Sequence, residues 1–378
     1  MKKLLMSASG IALAVVGWTG QALAEDKQAW RLFVSDHAAP VVTAIDALTG
    51  EKLDSFAIDG PASLYRTASG QTVFAVQGAA GTVTAIGSGI GFDDHGDHGD
   101  IEVSAPKLLN VEVSGRKPSH FVDHGGDIAL FFDGEGVTRN LTERDVLQGK
   151  SGFAEFKTDA PHHGVAVAYG DHVLLSEPNR EKPDELPVGI RMVDAKGAQV
   201  GGIHACPDLH GEASSGNILA FACATGLLVV RQGDNGPEIT HLPYAGSLPS
   251  GKSTTLMGGK GLQYFAGNYG PDKIVLIDPT AENDAFRLID LPMRRVHFAV
   301  DPVRAKFAYV LTEDGQLHQI DVVGGRIASS LKLTDPYSMD GHWSDPRPRI
   351  AVAGKHVVVT DPLNGKLHLV DAETFVKD

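Results

Sequence analysis

The chain holds 16 His against 2 Cys in 378 residues. Any metal site must therefore be built mainly from imidazole and carboxylate. Three histidines recur at one place in a repeated phrase: Lys117-Pro118-Ser119-His120, Ala160-Pro161-His162-His163 and Pro207-Asp208-Leu209-His210. Each precedes a short strand and a turn, at Gly125-Gly126-Asp127, Gly170-Asp171 or Ser215-Gly216-Asn217. Repeats set around an axis would bring equivalent positions together. His120, His163 and His210 would then form a zinc site with an open or carboxylate fourth position. His204 and His124 are near in sequence and could supply the fourth ligand or a partner to one. His163 rather than His162 is expected to point inward, from its distance to the following turn. A one-residue shift would reverse that choice.

A second cluster is Phe92-Asp93-Asp94-His95-Gly96-Asp97-His98-Gly99-Asp100, with two His and four Asp in its last eight residues. Nothing in it suits a core. It reads as an exposed, flexible loop over 92–100 in which His95, His98, Asp93, Asp94 and Asp97 could ligate a borderline metal such as zinc. The spacing does not match an EF-hand, and paired His argue against a calcium site.

The opening Met1-Lys2-Lys3, the apolar run to Trp18 and Ala22-Leu23-Ala24 read as a signal peptide over 1–24. No later stretch is apolar enough to span a membrane. The product is expected to be a periplasmic protein, off the membrane once the signal is cleaved. An oxidising compartment favours a Cys206–Cys223 disulfide over two free thiols helping to bind metal. The formal charge of −14 argues against a nucleic-acid binder.

These residues need a scaffold. From residue 25 onward one phrase recurs, an apolar alternating strand ending in an acidic or polar turn. It appears at Val42–Asp46, Val83–Gly87, Ile190–Asp194, Ile274–Asp278, Leu317–Asp321 and Leu367–Asp371, and more weakly at Val137–Leu141 and Leu227–Arg231. A period of about 44 residues is that of a four-stranded propeller blade. The expected fold is all-β, a single-domain β-propeller over 25–378. Eight blades are counted, and seven would result if one weak unit were an insertion. The first blade should lack its innermost strand, and Phe375-Val376 should be an outer-strand remnant. By propeller connectivity the 92–100 loop should lie nearer the turn after His124 than His120.

No G-x-S-x-G elbow or H-E-x-x-H helix is present. Glu177, Glu212 and Asp208 are acids that a metal-dependent lactonase or hydrolase could use, and that is the competing reading. A propeller serving only as a protein scaffold is a third.

An exported propeller with His-Gly-Asp-His-Gly-Asp in a loop and axial His on successive blades resembles the AztD family of periplasmic zinc metallochaperones. The resemblance spans the chain beyond the signal peptide, and the Asp93–Asp100 loop is its most specific part. It implies a protein that is not an enzyme. It implies capture of Zn2+ and its transfer to the solute-binding protein of a zinc ABC transporter, with His95 and His98 in a mobile acquisition loop. The expected form is a monomer.

Overall fold

The structure, a computed structural model, describes residues 28–94, 99–234, 236–342 and 344–378. The proposed signal peptide falls outside them, as do His95, Asp97 and His98.

Among the described residues eight antiparallel sheets of three or four strands succeed one another along the chain. Six have four strands; the first and last have three. The count is therefore eight blades, and none of the weak units is an insertion. The recurring phrase is the third strand of the four-stranded blades, as in Gly189–Asp194 and Gln316–Asp321. The same phrase, Val41–Asp46, lies centrally in the first blade between Arg31–Ser35 and Lys52–Ala57. That blade thus lacks the position of an innermost strand. The last blade, Ile350–Ala353, His356–Asp361 and Lys366–Asp371, is extended by a bridge from Val370 to Lys377. Leu32 and Ala47 pack with Ala353 and Val358, which joins first blade to last. One hydrophobic seam thus closes the ring and removes its open edges.

The second strands carry most of the core. Thr72–Gln77 and Ile218–Cys223 are buried at every residue, as a strand covered on both faces must be. Between the second and third blades, Phe74, Phe121, Leu130 and Phe132 form one cluster. Among the described residues the helical content is one turn, Glu143–Leu147, whose N-cap Thr142 accepts from the Asp145 N–H.

Local turn chemistry fixes the inner strand that matters most. Pro118–His124 is joined to Asp127–Phe132 by Gly125-Gly126 alone, with His124 paired to Asp127. Both glycines have positive φ, 68° and 89°, as a two-residue hairpin turn of this hand requires. The register of His120 and His124 follows from that turn.

The His/Asp segment differs from a plain loop. Between the third and fourth strands of the second blade stands a separate hairpin, Ile90–Asp94 paired with Gly99–Val103. Its base is held where Ser88 N–H donates to Gln71 O (2.7 Å), Ser104 N–H to Gly89 O (2.7 Å) and Arg31 Nη2 to Ser104 O (2.5 Å). The Ala68–Gln71 turn is tied to Asp123, next to His124, by a bond from Ala68 N–H to Asp123 Oδ2 (2.6 Å). The hairpin therefore rises on the His124 face. Four residues of strand, about 13 Å, separate that level from His120.

Candidate metal centre

His120 pairs with Phe131, the last-but-one residue of its blade's second strand. His210 N–H donates to the carbonyl of Ala222, the corresponding residue two blades on. His163 lies two residues before Val165, whose carbonyl accepts from Ser176, again the last-but-one residue of a second strand. The three histidines thus enter the channel at one end, from three successive blades.

There the rings meet. Nε2 of His120 and Nε2 of His163 are 3.4 Å apart. Ring centroids are separated by 4.9 Å (His120–His163), 5.3 Å (His163–His210) and 6.4 Å (His120–His210). Two nitrogens sharing a tetrahedral zinc at about 2.0–2.1 Å stand about 3.3–3.4 Å apart, with ring centroids about 5 Å apart. The His120–His163 pair already has that spacing, and His210 stands slightly outside it.

Each ring is aimed from behind. His163 Nδ1 donates to Asp133 Oδ2 at 2.8 Å, and His210 Nδ1 donates to the Thr254 carbonyl at 2.7 Å. A carbonyl or carboxylate can only accept, so in both rings Nδ1 holds the proton and Nε2 keeps its lone pair. His120 Nδ1 faces Glu212 Oε1 at 3.6 Å. Such carboxylate and carbonyl partners raise ligand basicity and fix ring orientation. Asp133 is itself held by the Ser119 hydroxyl and the Gly164 N–H. The other oxygen of Glu212, Oε2, is buried with no hydrogen-bond partner among the described residues. A carboxylate oxygen left without a partner close to His120 is a donor of the kind zinc takes.

Electrostatics separates the rings. Burial opposes charge on His120, but the Glu212 charge and contact, with Asp133, outweigh it and raise the pKa. Burial lowers that of His210, partly offset by Thr254 and reinforced by the other two rings. Burial raises Asp133, but bonds from His163 and Ser119 prevail and hold it below the usual range.

The other candidates are placed elsewhere. His162 is buried, donating from Nδ1 to Ala160 O (2.9 Å) and accepting at Nε2 from Ser176 Oγ (2.8 Å). His163, not His162, faces the channel. His124 lies at the far end of its strand, stacked on Tyr169 at 4.5 Å with Nδ1 3.1 Å from Ser214 Oγ. His204 lies on an outermost strand, opposite Ile190. Neither joins the cluster. Asp93 and Asp94 lie in the hairpin's first strand. Cys206 and Cys223 form a disulfide that anchors the segment leading to His210, so neither thiol is available to a metal. Of the acids a hydrolase would draw on, Glu177 pairs with Arg180 and Arg191, and Asp208 with Lys252.

Asp133, Thr254 and the positioning role of Glu212 are absent from the sequence reading. The first two come from neighbouring blades. The one available signal was an acid directly after the strand Asp127–Phe132, beside the start of the next blade's inner segment.

No protein-family model matches the sequence. The chain is 56% identical over all its 378 residues to the zinc chaperone AztD of Citrobacter koseri, covering 90% of that protein. Its fold superposes on the crystal structure of Citrobacter koseri AztD with a TM-score of 0.91 at 57% identity, covering 93% of this chain and 94% of that one. The apo form of the same protein gives 0.90 at 56% identity, with the same coverage. The dihydro-heme d1 dehydrogenase NirN, at 15% identity and a TM-score of 0.57, shares the fold alone.

Proposed function

This chain belongs to the AztD family of zinc chaperones, and on that premise we propose that His120, His163 and His210 are its zinc-holding ligands, with Glu212 as the fourth. The observation that carries this reading is the meeting of three rings, with the Nε2 atoms of His120 and His163 3.4 Å apart, the His210 ring centroid 5.3 Å from that of His163, and partners on Nδ1 of His163 and His210. Zinc is the cargo. The residues bind and orient it, and no bond in another molecule need be broken.

Release to a partner proceeds by ligand exchange. The site sits at a channel mouth, so an incoming ligand reaches the ion before the last protein ligand leaves. Glu212 is suited to yield first, because it can turn from the metal to His120. The recipient is the solute-binding protein of a zinc ABC transporter, and the setting is the periplasm after removal of residues 1–24. Among the described residues no helix is long and apolar enough to cross a membrane. His95, His98, Asp93, Asp94 and Asp97 serve capture before the tighter site is filled.

The test is zinc transfer from the loaded protein to the purified zinc-free solute-binding protein, followed at rising chelator concentration. Direct exchange gives a transfer rate independent of chelator. Transfer that slows in proportion to chelator means release into solution and rejects the ligand-exchange step.

A further inference from the structure

A second set of polar side chains lies toward the outer rim of the seventh blade, far from the channel histidines in the fold. His318 and Ser330 sit opposite each other on its third and fourth strands, Gln316–Asp321 and Arg326–Lys332. His318 is buried and Ser330 is exposed. Leu333 N–H donates to Gly315 O at 2.9 Å. Counted from that bond through the unshifted register, His318 and Ser330 form a non-hydrogen-bonded pair, the kind whose side chains stand closer. The Ser330 N–H then points away from the third strand. No strand follows Arg326–Lys332 in that sheet, so this N–H faces its open edge.

The side chains form a chain of hydrogen bonds with a fixed direction. Thr312 Oγ1 lies 2.6 Å from Asp314 Oδ1, 3.3 Å from the Gln316 carbonyl and 3.0 Å from His318 Nε2. Its single proton belongs to the short bond, to Asp314. His318 Nε2 must therefore donate to Thr312. Nδ1 keeps the lone pair and accepts from the Ser330 hydroxyl at 2.7 Å. Asp314 is itself held by the Gln316 side-chain amide (3.0 Å) and backbone N–H (3.3 Å). Burial lowers the His318 pKa against the opposing charge of Asp314, so the ring is neutral and its lone pair is available. The order is hydroxyl, imidazole, hydroxyl, carboxylate. That is a nucleophile, its base and the groups that orient the base. The buried ring spends its one acceptor on an exposed hydroxyl, the end of the chain that a reagent in solution can reach.

We propose that Ser330 is a nucleophile that accepts an acyl group from activated carboxylic esters, with His318 as its base and Thr312 and Asp314 as positioning groups. The Ser330 oxygen bonds the ester's carbonyl carbon as its proton passes to His318 Nδ1. The Ser330 N–H at the open edge is placed to donate to the carbonyl oxygen as it gains charge. The bond to the leaving oxygen then breaks, that oxygen takes the electron pair, and the ring passes its proton on to it. Ser330 is left as an ester. The step needs no metal, so it stands apart from the zinc site.

The probe is p-nitrophenyl acetate on the full chain, with chelator present so that bound zinc contributes no turnover. A burst of about one p-nitrophenolate per chain is expected, with the acetyl group located on Ser330 by peptide mass mapping. Ser330→Ala, a change at an exposed position, should lose the burst and melt as the native protein does. His318→Gln should slow acetylation on the order of 100-fold. Thr312→Val should slow it too, while Thr312→Ser, which keeps the acceptor for Nε2–H, should keep the native rate. A burst that persists in Ser330→Ala, or acetyl groups found on Lys332 and other lysines with none on Ser330, overturns the proposal. If His318→Gln fails to fold, the Ser330→Ala result and the adduct map on the native chain still decide it.

Discussion

His163 donates to Asp133 at 2.8 Å across the seam between the third and fourth blades. The proposed ligand comes from one sheet and the carboxylate that orients its ring from the sheet before. Site geometry is therefore a property of blade packing, and this bond is where the two meet.

Asp133→Asn keeps an acceptor but removes the charge. The expected result is a 10–100-fold loss of zinc affinity, with the fold kept, read by competition beside a thermal melt. An unchanged affinity would mean that Asp133 orients nothing.

The pH dependence has a definite sign. His120 has a raised pKa, so protons compete with zinc for its Nε2 at a higher pH than at an unshifted ring. Burial shifts His210 down, so protons compete with zinc there at a lower pH than at an unshifted ring. Affinity should fall as pH drops from about 8 to about 5. Calorimetry in buffers of different ionisation heat should register proton release on binding. A flat affinity profile would exclude histidine ligation.

Adjacent histidines should behave oppositely. His162→Gln disturbs a buried ring bonded to Ala160 and Ser176 and should cost about 1–3 kcal/mol of stability, with zinc stoichiometry unchanged. His163→Gln should leave stability nearly intact and weaken zinc binding sharply. Chemical denaturation and zinc titration on the same samples decide it, and the reverse pattern would move the site.

The disulfide serves stability and site together. It closes a separation of 17 residues, for which chain entropy gives about 3 kcal/mol. It also anchors the segment on which His210 is carried. The Cys206→Ser, Cys223→Ser double variant should melt lower and bind zinc more weakly. A lower melting temperature with native affinity would limit its role to stability.

Much of the architecture was legible because propeller blades repeat. The Val41–Asp46 phrase recurs at a fixed place, and three histidines recur in register with it. What stayed hidden is what crosses between blades. Asp133 lies 30 residues from His163 and Thr254 lies 44 from His210, and no local pattern links them. His124 and His204 were drawn in by nearness in sequence. A strand carries its residues apart at about 3.3 Å each, and an outermost strand lies farthest from the axis. The hairpin at Ile90–Asp94 is hidden in the sequence because its Gly and Asp content outweighs the alternation of Ile90, Phe92, Ile101 and Val103, which only pairing reveals.

One zinc ion held by His120, His163 and His210 is the feature on which the proposed function stands. Its most direct test is zinc stoichiometry and affinity by competition with a chromophoric chelator, comparing the native protein, a His95→Ala, His98→Ala variant, and a His120→Ala, His163→Ala, His210→Ala variant. The tight site is expected to survive the first substitution set and to disappear with the second, while the protein stays folded. Tight binding that persists without the three channel histidines would contradict it.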